Sequence, residues 1–359
     1  MADELWRQDA VTLAAAIRTR KVSARETLDA HLARMAQVNP KLNAVVDAMA
    51  DEARLKAEFC DAAVQRGDDL PPLHGVPLTV KINIDWQGRA TTNGVVAFKD
   101  AIAPGDSPVI ARWKKAGAVI FGRTNTPAFS YRWFTENDLH GETINPWGKH
   151  ITPGGSSGGA SSAVASGISP ISHGNDYGGS IRYPAYCTGI FGIRPSFGRV
   201  PAYRPSLKEE RPMTGQLMAV QGPHARAVAD LRLGLWAMAG ADPADPWSVP
   251  APQEGPPVAR PIRVARLPVP GVSAEVKSAL DTAAGWLADA GYAVEDAPAD
   301  APTIDAAAEN WRILVGNEWR LLSVGDIEKY GDDKVRNVVR AMRGYRTGVS
   351  GSFASGTTR

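Results

Sequence analysis

Cysteine is scarce in this sequence. Only Cys60 and Cys187 occur in 359 residues, so no disulfide framework is implied and a reducing compartment fits. An excess of one charge is missing as well: 40 basic against 38 acidic side chains leave a formal +2. That balance gives no reason to expect nucleic acid or an anionic membrane as partner. No run of about 18 apolar residues exists, so no membrane-spanning helix is expected. The opening MADELWRQDA has no basic stretch followed by an apolar one, unlike a secretory signal. The six histidines show no metal-ligand spacing, so neither a metal nor another cofactor is expected. There is no internal repeat. Together these absences predict a soluble cytoplasmic protein.

What is present reads as globular. Hydrophobic content is 44%, an ordinary value, and the length fits one large α/β domain or two average ones. Residues 1–70 read as helical. Ser23 and Glu26 form a capping box, Leu28, Leu32 and Met35 follow at helical spacing, and Asn39-Pro40 is expected to stop the run. Asp51 to Gln65 reads as a further helix closed by Gly67. From Val76 to Asp85 the period changes to two: Leu78, Val80, Ile82 and Ile84 alternate with Thr79, Lys81, Asn83 and Asp85. This predicts a half-buried strand with Lys81 on its polar face. With 12 lysines in the chain, the bland reading of Lys81 is a solvated side chain. Ser107-Pro108 opens another helix, and Ala118 to Phe121 reads as a short buried strand. Strands alternating with helices argue an α/β fold.

Residues 71–240 thus form a core, and 243–261, with seven prolines, a linker or long loop. A strand, helix and strand over 262–294 predict a unit, 262–343, that adds to the sheet of one domain spanning 1–343. The Gly/Ser/Thr-rich tail 344–359 is expected to be disordered. The irregular segment 201–222 reads either as a surface excursion or as a loop that sets substrate choice.

The chain is organised around Thr152 to Ser196. Two small-residue clusters lie there, Gly154-Gly155-Ser156-Ser157-Gly158-Gly159 and Asp176-Tyr177-Gly178-Gly179-Ser180, with a helix-like Ala/Ser run at 160–166 between them. Glycines let other groups approach the backbone, and a serine beside bare N–H groups suits acyl transfer. Four readings compete. Close-packed turns would need nothing more. Phosphate binding lacks both GxxxxGK[ST] and GxGxxG. An α/β-hydrolase elbow matches Gly154–Gly158 loosely, but NPWGKHITP is a poor strand before it. The fourth is a serine hydrolase with a lysine base; S-x-x-K is absent, so that lysine must come from elsewhere in the chain.

At this point the sequence resembles the amidase signature family. The matching residues are PGGSSGGASSAVASG at 153–167, HGNDYGGSIRYPAYCTGIFGIRPSFGRVP at 173–201 and HGVPLTVKINID at 74–85, with FGRTNTPAF, TEN…GETINPW and GPHARAVADL elsewhere in the chain. The resemblance covers roughly residues 5 to 300. It implies an α/β fold with a central mixed β-sheet covered by helices on both faces. It also implies a triad: Ser180 as nucleophile, Ser156 as a bridging serine after a cis peptide bond, and Lys81 as general base. Ser157 would support this network, and the N–H groups of Tyr177, Gly178, Gly179 and Ser180 would form the oxyanion hole. Lysine serves as a base only when neutral, and burial favours that form. Asp176 is expected to bind turn amides, Arg182 to form an ion pair, and Cys187 to be a small buried hydrophobe. Tyr177 stands where many relatives carry a smaller residue, and the chain is expected to be short for the family.

The implied function is hydrolysis of a small-molecule carboxamide through an acyl-enzyme. The alternatives are a carbamate or ester hydrolase, the glutaminase-like component of a tRNA-dependent amidotransferase, and a non-catalytic truncated relative. Oligomeric state is open, with a homodimer among the choices.

Overall fold

The computed structural model describes residues 2–301 and 304–343. The tail expected to be disordered, 344–359, lies outside the described residues. Among the described residues ten strands occur in chain order: β1 (Val45–Ala48), β2 (Pro77–Lys81), β3 (Val119–Thr124), β4 (Glu136–Asn137), β5 (Gly141–Glu142), β6 (Ile171–Asp176), β7 (Phe191–Gly192), β8 (Val220–Ala225), β9 (Arg263–Arg266) and β10 (Ala293–Asp296). Six of them form one sheet, ordered β1-β3-β2-β6-β8-β7. It is mixed: β2 runs parallel to β3 and β6, while β1 with β3, and β8 with β6 and β7, are antiparallel.

Helices cover both faces, in keeping with the expected fold class. Leu78, Val80 and Ile120 point to one face, against helices Ala10–Arg18, Pro108–Lys115 and Val228–Met238. Val119 and Phe121 point to the other, against Ala24–Leu42, Ala50–Arg66 and Gly158–Ala165. Successive side chains of a strand alternate between faces. Thr79 and Lys81 therefore lie on the side of helix Gly158–Ala165.

This corrects the half-buried strand. The strand is shorter than expected, and all five residues of β2 are buried. A central strand with parallel neighbours and helices on both faces has no solvent side. The alternation in the sequence marks a polar interior, and the polar side chains are those of the site.

The N-terminal 70 residues also contain β1, which the helical reading misses. The helix begun by the Ser23 capping box continues through Pro40 to Leu42. Proline in the last turn costs one intrahelical hydrogen bond, and the helix ends on Asn43 at φ 50°. The Asn39 side chain then accepts from the N–H groups of Ala44 and Val45, both at 2.9 Å, and turns the chain into β1.

The chain divides into two compact units, Met1–Ala251 with Glu318–Arg346, and a smaller one built on Pro252–Asn317. The expected sheet-adding role of 262–343 is not found. Among the described residues β9 and β10 pair in parallel with each other alone. Each is four residues long, and Arg263–Glu295 and Arg266–Asp296 ion pairs, each at 2.8 Å, join them. Such charged strands lack the apolar flanks of a central parallel strand. Residues beyond 318 return to the larger unit, where Ile327, Val335 and Val339 pack with Val95 and Ala128.

The glycines of 154–159 let the chain pass through a crowded place. A Cβ on Gly159 would stand 2.4 Å from the Asn125 nitrogen and 2.8 Å from the Ala44 oxygen, both backbone atoms. Gly159→Ala is expected to lower stability by about 3 kcal/mol, read as a shifted urea midpoint; an unshifted midpoint would refute this packing role.

Candidate active site

The site forms where three segments meet on the inner face of the sheet. β2 ends in Lys81. The loop before helix Gly158–Ala165 brings Ser156 and Ser157. β6 runs into the turn that carries Ser180. The Gly155–Ser156 peptide is cis, and Gly154 before it has φ +77°. No strand precedes Ser156 directly, so the elbow reading loses its scaffold.

Lys81 is wholly buried and Ser156 is 1% exposed. The Lys81 Nζ lies 2.7 Å from Ser156 Oγ, 3.1 Å from Ser157 Oγ and 2.8 Å from Asn175 Oδ1. Burial pulls the Lys81 ammonium well below its ordinary value; the charge of Asp176 opposes this but does not outweigh it. Desolvation of an ammonium favours the free amine.

Asn175 is a site residue that the sequence reading misses. Besides accepting from Lys81, it donates from Nδ2 to Asn83 Oδ1 at 3.0 Å. Asn83 in turn donates to Ser130 Oγ at 2.9 Å. The available signal is weak: a polar residue on a strand that neighbours the lysine strand.

Ser180 is 8% exposed and lines the same cleft as Ser156. Among the described residues no hydrogen bond joins the two hydroxyls. The turn before Ser180 is held by Asp176, whose side chain is buried. Asp176 accepts from Gly179 N at 2.9 Å, Ile181 N at 3.1 Å, and Arg182 through Nε at 3.0 Å and Nη2 at 2.9 Å. Burial disfavours its ionised form, but Arg182 and these N–H groups hold the carboxyl below its usual value. The expected ion pair of Arg182 is therefore present. Of the expected oxyanion donors, Gly179 is already engaged by Asp176. Those of Gly178 and Ser180 have no acceptor among the described residues.

Tyr177 faces the cleft, and its hydroxyl is hydrogen-bonded to Thr214, whose hydroxyl donates to Glu318. Tyr131 stacks on Trp319 at 4.1 Å between centroids, and Phe129 stacks on Tyr131. With Tyr177 these rings form an aromatic wall. The cleft has a volume of about 900 Å³. Cys187 is half-buried, less enclosed than expected.

Two histidines lie close by but make neutral contacts. His173 Nδ1 accepts from the Lys81 backbone N–H at 3.4 Å, and its Nε2 donates to Gln221 Oε1 at 2.8 Å. His224 Nε2 donates to the Ile181 carbonyl at 2.9 Å. Burial pushes His173 down to about 3 and His224 down to about 4. Neither carries a proton charge at neutral pH, and both ring contacts are structural.

The family model described as Amidase matches residues 26–344. The chain belongs to the amidase family. It is 48% identical over 342 residues to an indoleacetamide hydrolase of Bradyrhizobium diazoefficiens, covering 94% of this chain and 65% of that protein. It is 40% identical over 252 residues to a glutamyl-tRNA(Gln) amidotransferase component of a Synechococcus species, covering 70% of this chain and 49% of that one. The chain thus spans from about half to about two thirds of these relatives' length. Among solved structures, a bacterial aryl acylamidase of the amidase signature enzymes superposes with TM-score 0.80 at 28% identity, covering 95% of this chain and 73% of that one.

Proposed function

We propose that this family member hydrolyses a carboxamide C–N bond by way of an acyl-enzyme on Ser180. The hydrogen-bond arithmetic around Lys81 carries the reading. A neutral amine has two N–H donors and one lone pair. Asn175 Oδ1 can only accept, so one N–H goes there. The Ser157 hydroxyl directs its own proton to the Asn175 carbonyl at 3.4 Å, so its oxygen accepts the second N–H. The lone pair is left for the proton of Ser156, which then accepts that of Ser180 as Ser180 attacks. Catalytic contacts of this kind often close only with substrate bound.

Attack makes a C–O bond and puts negative charge on the carbonyl oxygen, received by the N–H groups of Gly178 and Ser180. Donors of this type are worth about 10²–10³ each in rate. The C–N bond then breaks, and ammonia or an amine leaves with the proton returned from Lys81 through Ser156. Water attacks the Ser180 ester by the same relay and releases the acid. The aromatic wall suits a planar acyl group, and the indoleacetamide hydrolase likeness puts arylacetamides first in a substrate screen.

The test is intact mass and peptide mapping after fluorophosphonate treatment. One adduct on Ser180, absent in Ser180→Ala, supports the nucleophile. An adduct on Ser156, or none on folded protein, overturns it. The second reading, favoured by the amidotransferase likeness, is a component that feeds ammonia to partner proteins. Turnover of simple amides by the chain alone would set that role aside.

A further inference from the structure

The irregular segment after β7 places two arginines on the cleft wall. Arg204 and Arg211 both line the cavity that holds Ser156 and Ser180. Arg204 is half-buried, and its Nε is shut off from solvent without a hydrogen-bond partner. Neither guanidinium makes a hydrogen bond or ion pair among the described residues. Burial lowers both below their ordinary value; the charge of Asp85 opposes this at Arg204 and that of Asp245 at Arg211, where Arg204 adds to the lowering. Two like charges thus share one wall.

Four nearby carboxylates have other partners. Asp85 accepts from Thr91 Oγ1 at 2.8 Å and from Ser206 N and Oγ at 2.7 and 3.0 Å. Asp245 accepts from Ala202 N at 2.7 Å and Trp247 N at 3.0 Å. Glu318 accepts from Thr214, Glu210 from Gln216 at 3.4 Å, and Glu209 is exposed. The bonds to Ala202 and Ser206 also pin the loop on either side of Arg204. An arginine whose loop is held in advance loses less freedom when its guanidinium binds a carboxylate through two parallel hydrogen bonds.

We propose that Arg204, assisted by Arg211, receives a carboxylate at the end of the substrate remote from the scissile bond, so that the cleft selects anionic amides. This rests on the cleft being the substrate cleft of the proposed hydrolase.

The experiment is calorimetric binding to Ser180→Ala protein, which does not turn substrate over. The ligands are pairs that differ in charge: glutaramate against glutaramide, and phenylacetylglycine against phenylacetylglycinamide. At least one anionic member is expected to bind about tenfold more tightly than its neutral mate. Adding Arg204→Gln should collapse that ratio towards one, and Arg204→Lys should restore it in part. Arg211→Gln should reduce it less. Equal binding within both pairs, or a ratio unmoved by Arg204→Gln, overturns the proposal. Fluorophosphonate labelling of wild type separates the two ideas. Labelled Ser180 without anion preference sinks this one alone, and anion preference without labelling sinks the hydrolase reading and leaves only anion binding by the cleft.

Discussion

Ser180→Ala is expected to lower kcat/KM by on the order of 10⁶ on any amide that the screen returns. In the proposed mechanism the Ser180 hydroxyl is the group that bonds to the carbonyl carbon, and no neighbour would replace it there. Ser156→Ala is expected to cost less, about 10²–10⁴, the usual worth of proton transfer by a positioned group. The order matters more than the values. In the proposed relay Ser156 passes a proton and forms no bond to carbon, so the acyl-enzyme path would survive its loss at a lower rate. Ammonia release, measured with each variant, reads both effects. A larger loss for Ser156→Ala than for Ser180→Ala would reverse the two roles.

The second large effect concerns Lys81→Met. Methionine matches the length of the lysine stem but offers no basic lone pair, so a loss of about 10²–10⁴ in kcat/KM is expected. The pH profile identifies the cause. In wild type, activity should rise with pH as the Lys81 ammonium gives up its proton, at a value well below the ordinary 10.5. In Lys81→Met that rise should vanish. His173 and His224, at about 3 and 4, cannot produce a limb near neutrality. Stability carries the same signature. The unfolded chain holds the Lys81 proton up to the ordinary 10.5, while the folded protein has lost it. The unfolded state therefore binds more protons in that window, and wild-type stability rises with pH through it. Urea unfolding at several pH values should show wild type gaining on Lys81→Met towards alkaline pH. A constant difference would mean that Lys81 is charged in the fold.

Much of this is legible in residue patterns. The capping box at Ser23 and the αL glycine at Gly67 fix helix ends by local chemistry, and both are seen. The clusters at 154–159 and 176–180 point to the place where Ser156, Ser157 and Lys81 meet. Other features rest on contacts that no local period reports. The polar face of β2 looks the same whether it meets water or a buried loop of serines. Asn175 gains its meaning only beside Lys81. The family resemblance makes Gly179 an oxyanion donor, and although Asp176 is expected to bind turn amides, which of them it reaches depends on the turn geometry. The pairing of β9 with β10 alone is decided by which edges meet, and the strand pattern is silent about that.

The buried imidazoles bear on where the protein will survive. His173 and His224 share this condition with His31, whose Nδ1 lies 3.0 Å from the Ile168 carbonyl and which burial holds down to about 4. In the unfolded chain each would take up a proton near the ordinary 6.5. Below that pH the unfolded state binds more protons than the fold, and the balance shifts towards unfolding as acid is added. Mild acid, such as an acidic elution step, thus acts on three points of the interior at once. The alkaline side, which keeps the Lys81 amine free, is also the side on which these rings cost nothing.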